Sequence, residues 1–333
     1  MKGKKCVIQL VVFVTAILFS IITCNASFLT IGDWKVEYWR NHPTGTPSDV
    51  FDRAVIVIHG TNRNADAYYD YVYNAATTEG LVGHTLIIAP KFKISKDNPD
   101  VESELYWENS GWKVGLNALN GSQISSFQVI DHILGKINDN FPNIRFVSII
   151  GHSAGGQFVQ RYSAINEKEQ GLRSNLKLKY VVANPSSYMY LNADRPLSTV
   201  GCSEFDNYKY GMVNLPSVLP YTNLSKAAIQ NQLTSRSIYL ILGMNDTDPN
   251  ADDLDKTCPA NTQGLHRYER GHYYYDYVMV FNRNSNHKIF DIPDVGHSSN
   301  DMFNSEIGRE VIFYSQSNPS LIPAILHLIL GTK

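Results

Sequence analysis

The chain has 333 residues, 43% of them hydrophobic and 18% charged, with 29 lysines and arginines against 31 aspartates and glutamates. That composition is ordinary for a globular chain and supplies enough apolar material for one large domain or two small ones. No stretch gathers the basic residues that a nucleic-acid surface needs, so that class of partner is excluded.

At the N-terminus, Lys2, Lys4 and Lys5 precede an apolar run over residues 6–22, followed by Cys24, Asn25 and Ala26. A positive start, an apolar middle and small residues at the end read as a secretory signal over residues 1–26, with cleavage after Ala26. Cleavage leaves 26 basic residues against 31 acidic ones, a net charge of −5. The product is expected to be secreted or periplasmic and free of the membrane; if the run is retained it becomes a membrane anchor instead. Thr23 is too large for a lipoprotein site at Cys24. Cys202 and Cys258 are then the remaining cysteines, and in an oxidising compartment they are expected to pair.

Beyond the signal, Val- and Ile-rich runs recur at residues 54–58, 85–89, 144–150, 178–183, 238–242 and 289–292. Their lack of polar alternation suits strands buried on both faces, as in a parallel sheet covered by helices. Residues 33–39 are expected to add an antiparallel edge strand. Phe127, Ile130, Leu134 and Ile137 recur at helical spacing, with Ser125 or Ser126 available as the cap. This alternation predicts one doubly wound α/β domain, without repeats or low-complexity linkers. Two stretches, 186–231 and 249–286, are too long for ordinary connections and are expected to build binding surface as insertions. One cysteine falls in each, so a disulfide would tie them together over one face. Tyr273, Tyr274, Tyr275 and Tyr277 are expected to pack on a helix surface. The last apolar run, 321–330, is too short to span a bilayer and is expected to dock as a helix.

The chemistry begins at Gly151-His152-Ser153-Ala154-Gly155, between the run 144–150 and a helix-like stretch. Glycines on both sides weaken a regular element, by roughly 0.5–1 kcal/mol each, but they suit a sharp turn that exposes a hydroxyl. Strand, turn and helix together form the context of a nucleophile elbow. A serine hydroxyl needs a base and an orienting acid to attack at neutral pH. Asp246 follows the run 238–242 and His297 follows 289–292, which gives the expected order of serine, acid and histidine. Asp248, two residues further from its strand, is the rival acid. His59-Gly60-Thr61 follows the earliest parallel run, so the amides of Thr61 and Ala154 are the oxyanion-hole candidates.

This set of motifs resembles the α/β-hydrolase superfamily over about 250 residues from Ala54 onward, and more loosely its secreted microbial members through "YWENSGWKVG", "NDTDPN" and "GHSSNDMF". The resemblance implies a mostly parallel sheet with helices on both faces and cap-like insertions. It also implies a serine hydrolase acting on small or polymeric esters, with no cofactor. A peptidase or polyester depolymerase with the same triad, and a non-catalytic binding protein on this fold, are the alternatives.

Other readings of these residues are weaker. Asp246, Asp248 and Asn250 alternate as in a calcium loop, but Ala251 and Thr257 stand where glycine and glutamate are required. No His/Cys cluster has zinc spacing, so no metal is expected. Trp107 and Trp112, in the polar loop 104–113, are expected either to pack that loop or to wall the substrate pocket. Asn120, Asn223 and Asn245 begin sequons, and glycosylation at Asn245 would crowd the proposed acid. Oligomeric state is not legible.

Overall fold

A computed structural model describes residues 27–315. The proposed signal over 1–26 and the apolar run 321–330 lie outside the described residues. Eight strands form a single sheet: β1 (Ser27–Ile31), β2 (Trp34–Arg40), β3 (Arg53–Ile58), β4 (Thr85–Pro90), β5 (Phe146–His152), β6 (Lys177–Ala183), β7 (Ile238–Gly243) and β8 (His287–Ile292). Their spatial order is β1-β2-β4-β3-β5-β6-β7-β8. From β4 to β8 every neighbouring pair is parallel.

The helices are α1 (Ala65–Thr78), α2 (Ser126–Asn140), α3 (Ala154–Ile165), α4 (Leu215–Val218), α5 (Lys226–Ser235), α6 (Cys258–Asn261), α7 (Arg267–Phe281), α8 (Ser299–Asn304) and α9 (Glu306–Phe313). Both faces of the sheet are covered, and side chains that alternate along one strand feed two separate cores. Ala54, Ile56 and Ile58 of β3 join Ile130, Leu134, Phe158 and Tyr162 from α2 and α3. Val55 and Val57 of the same strand join Ala65, Val72, Phe303 and Ile312 from α1, α8 and α9. Hence the central runs are largely apolar on both faces, which is why they stand out in the sequence. Ser125 caps α2, its hydroxyl accepting from the Phe127 N–H while Gln128 accepts from the Ser125 N–H at 2.7 Å.

One strand expectation needs correction. The stretch read as an edge strand, now β2, lies inside the sheet, antiparallel to both β1 and β4. The true edge is β1, where only Leu29 is buried, and such a short, half-exposed run carries little apolar signal.

The two long stretches differ in kind. Residues 186–225 are mostly irregular, whereas 249–286 contains α7, a crossover helix packed on β7 and β8. A disulfide between Cys202 and Cys258 joins the two. Tyr274 of α7 is fully buried, its ring stacked 4.3 Å from that of Tyr188.

Candidate active site

Ser153 is the single residue between β5 and α3, and it is held at φ 58° and ψ −119°. A positive φ is costly for a residue with a side chain and persists only where the surroundings enforce it. Here the Ser153 N–H donates to the Ala183 carbonyl at the end of β6 (2.9 Å). Glycine is also required nearby: a Cβ on Gly155 would lie 2.2 Å from the Ile58 carbonyl oxygen, and one on Gly151 would lie 2.3 Å from the Gly155 oxygen. The turn therefore fits between the carboxyl ends of β3 and β6 only because these two positions lack side chains. This is the edge where open α/β sheets place their sites.

The loops after β7 and β8 are zipped together. Met244 N–H donates to the Ile292 carbonyl and Asn245 N–H to that of Val295, at 3.1 and 2.9 Å. Asn184, fully buried just past β6, accepts from the Gly243 N–H at 3.0 Å and reaches the Gly296 carbonyl at 3.4 Å. These ties bring Asp246 Oδ2 to 2.6 Å from His297 Nδ1. Asp246 is buried, whereas Asp248 is exposed and accepts only from the nearby Asn250 N–H. Of the two candidate acids, only Asp246 meets the imidazole. The His297 ring also packs 4.5 Å from that of His152, the residue before Ser153. No hydrogen bond joins His297 Nε2 to Ser153 or to any other group among the described residues.

Three residues that sequence reasoning missed complete this surrounding. Asn184 is one. Asp253 is the second: its Oδ2 lies 3.3 Å from His297 Nε2, close but not aligned as a hydrogen bond. Arg267, its side chain fully buried, is the third and forks between the carboxylates, 3.3 Å from Asp246 Oδ1 and 2.7 Å from Asp253 Oδ1. Burial pulls the His297 pKa down, but the interactions with Asp246 and Asp253 outweigh it and leave it above the ordinary value of 6.5. Contact with His297, and then the attraction of Arg267, holds the Asp253 carboxyl well below the usual range, against a burial effect that acts upward.

The sign of a pH effect follows. A general base must be neutral, so a raised His297 pKa moves the acid limb of any activity profile to higher pH. Asp253→Asn removes one of the charges that raise it, and the acid limb of kcat/KM should move to lower pH. A pH–rate profile of the two proteins checks this; an unmoved limb would show that Asp253 does not bear on the base.

On the other side of Ser153, His59-Gly60-Thr61 leaves the end of β3. The His59 imidazole is buried and its pKa is lowered to about 3, chiefly by desolvation. Its Nε2 accepts from the Phe92 N–H at 2.9 Å while Nδ1–H donates to the Gly60 carbonyl, so it is a neutral structural ring. Neither the Thr61 nor the Ala154 N–H takes part in the hydrogen bonds of the described residues.

The tryptophans need correction as pocket walls. Trp107 and Trp112 are fully buried; Trp112 stacks on Phe92 at 5.6 Å and packs on His59 at 4.7 Å. Their rings fill the core beside His59 and Phe92 and are fully buried. A cavity of about 510 Å³, lined by Phe146, Lys177 and Ser237, opens at the opposite end of the strands and holds none of these groups. Among the described residues, no group of three or more His, Cys, Asp or Glu side chains is placed to hold a metal ion.

Solved structures share this architecture. Poly(aspartic acid) hydrolase-1 from Sphingomonas sp. KT-1 is similar with a TM-score of 0.63 and 22% identity, over 87% of this chain and 98% of that one. LpqC from Bordetella parapertussis, described as a poly(3-hydroxybutyrate) depolymerase, is similar with a TM-score of 0.61 and 21% identity, over 87% of this chain and 89% of that one. No family model and no curated protein matches the sequence. The chain has the α/β-hydrolase fold.

Proposed function

We propose that the chain is a serine hydrolase of carboxylic esters, with Ser153 as nucleophile, His297 as general base and Asp246 as its orienting acid. The observation that carries this reading is the conjunction of a strained serine turn with an aspartate-bound imidazole at the same sheet edge. An Nδ1–H donated to Asp246 leaves the Nε2 lone pair free to accept a proton. In the proposed reaction Ser153 Oγ attacks the ester carbonyl while its proton passes to His297 Nε2. The carbonyl oxygen, now anionic, is held by the Thr61 and Ala154 N–H groups. Collapse breaks the acyl–oxygen bond, and the proton goes from His297 to the departing alcohol. Water, deprotonated by the same imidazole, then releases the acid and restores Ser153. Asp253 Oδ2 lies 3.3 Å from Nε2, so in this reading the proton transfer from Ser153 requires the two to separate.

No step calls for a cofactor. Of the two similar solved structures, one carries a polyester and the other a polyamide in its name, which supports testing polymeric esters beside small ones. Residues 1–26 fit an export signal, and we propose that the enzyme works outside the cytoplasm.

The test combines a fluorophosphonate probe with a panel of p-nitrophenyl esters. The expected result is one covalent adduct on the peptide containing Ser153, together with ester turnover that the probe abolishes. A chain inert to both would instead be a binding protein on this fold.

A further inference from the structure

Lys113 stands in the short turn Trp112–Val114, and its Nζ donates to Thr61 Oγ1 at 3.3 Å. Its side chain therefore reaches the loop whose amide is the proposed oxyanion donor. Burial, then the like charge of Lys209, pushes its pKa down to about 8, so it remains largely protonated at neutral pH. The side chain is half-buried, with Nζ 5.9 Å from the centre of the Trp112 ring, and among the described residues it has no carboxylate partner.

The surrounding charges do not supply one. Asp97 is taken by Arg63 at 2.6 Å. Asp255 is taken by Lys209 at 3.3 Å and also accepts from the Tyr210 and Thr257 hydroxyls. Asp246 and Asp253 share Arg267. Arg161 donates to the carbonyls of Lys209 and Gln157 and to the Ser187 hydroxyl. Arg270 donates to the carbonyls of Gly264, Ser186 and Asp255 and to the Asn261 side chain. Each of these four carboxylates thus has a cation, while Lys113, Arg161 and Arg270 form no ion pair among the described residues. Of these three only Lys113 is partly exposed. The first insertion is fixed against this turn, since the Tyr208 hydroxyl donates to the Val114 carbonyl at 2.5 Å.

Building on the serine-hydrolase reading, we propose that Lys113 heads an anion subsite that binds a carboxylate on the acyl portion of the substrate, so that the enzyme favours carboxylated esters. The two sides of the site differ in sign. His297 delivers its proton to the leaving alcohol, and Asp253 lies at that nitrogen, so a negative group on the alcohol side meets repulsion. On the Thr61 side a carboxylate a few bonds from the scissile carbonyl meets Lys113, in a region whose positive charge is in excess. The carboxylate makes and breaks no bond; it fixes the acyl chain while ester cleavage proceeds as above.

The test compares the p-nitrophenyl monoester of glutaric acid with p-nitrophenyl valerate, whose acyl chain is neutral and of equal carbon count, after subtraction of spontaneous hydrolysis. The wild-type ratio of kcat/KM should favour the glutarate ester, and Lys113→Met should lower that ratio roughly tenfold to a hundredfold, as for loss of a charged hydrogen bond. The valerate rate is the internal control for folding. Lys113→Gln, which keeps a donor for Thr61 but no charge, should lower the ratio similarly. Valerate turnover with a ratio that both variants leave intact overturns the subsite alone. Turnover of neither ester by the wild type overturns the hydrolase reading, and the subsite with it.

Discussion

Ser153→Ala and His297→Ala are each expected to lower kcat by about 10⁴- to 10⁶-fold, and the double variant to fall no further than the worse of the two. In the proposed reaction the hydroxyl and the imidazole act as a unit. Without Oγ there is no acyl-enzyme to form, and without Nε2 there is no acceptor for its proton. What survives is catalysis by bound water beside the Thr61 and Ala154 amides, which should be the same residue of activity in all three variants. Neither change should disturb the fold. Alanine at 153 leaves the turn's hydrogen bond to Ala183 in place, because the backbone N–H makes it. His297 lies in a loop held by backbone ties at Asn245 and Val295. Steady-state kinetics on the ester panel, with circular dichroism as the folding control, measures this. Independent, multiplying losses in the double variant would mean that serine and histidine do not share one reaction coordinate.

Most of the sheet was legible because burial on both faces writes largely apolar runs, as in β3 to β7, while β8 shows only a short apolar stretch and is half-buried along its interior. β1 was not legible, since a five-residue strand with one buried side chain looks like any polar segment. The serine turn was legible for a local reason: its glycines answer to contacts made within a few residues and at the ends of neighbouring strands. Asp246 was separable from Asp248 only by its nearness to a strand end, and the structure gives the cause, a buried position against His297 for one and solvent for the other. The residues that were missed act across distance. Asp253 sits among Asp252, Leu254 and Asp255 in a segment without periodicity, and Arg267 looks like one more charge at a helix start. For the tryptophans the sequence left two readings open, and packing is the one that holds: both rings turn inward onto Phe92.

Arg267 is where the second large effect is expected, and it is one of stability as well as rate. Its guanidinium is fully enclosed and bonds Asp246, Asp253 and the Ser186 hydroxyl. Removing one partner of a buried ion pair leaves an uncompensated charge, which typically costs about 3–5 kcal/mol. Arg267→Met should lose stability of that order, a large share of the roughly 5–15 kcal/mol that holds a typical domain together. Arg267→Lys keeps the charge without the fork and should lose less. The Asp253 carboxyl titrates below its unfolded value, so its stabilising contribution is present above that value and is lost as pH falls through the folded one. The Met variant's deficit should accordingly be greatest near neutrality and shrink on acidification. Arg267 also depresses the His297 pKa, in opposition to Asp246 and Asp253. Its removal should therefore move the acid limb of the rate profile to higher pH, opposite to the shift expected for Asp253→Asn. Urea denaturation at neutral and acid pH, paired with pH–rate profiles of both variants, measures the two effects. Limbs that move in the same direction would mean that Arg267 and Asp253 do not bear on the imidazole through opposed charges.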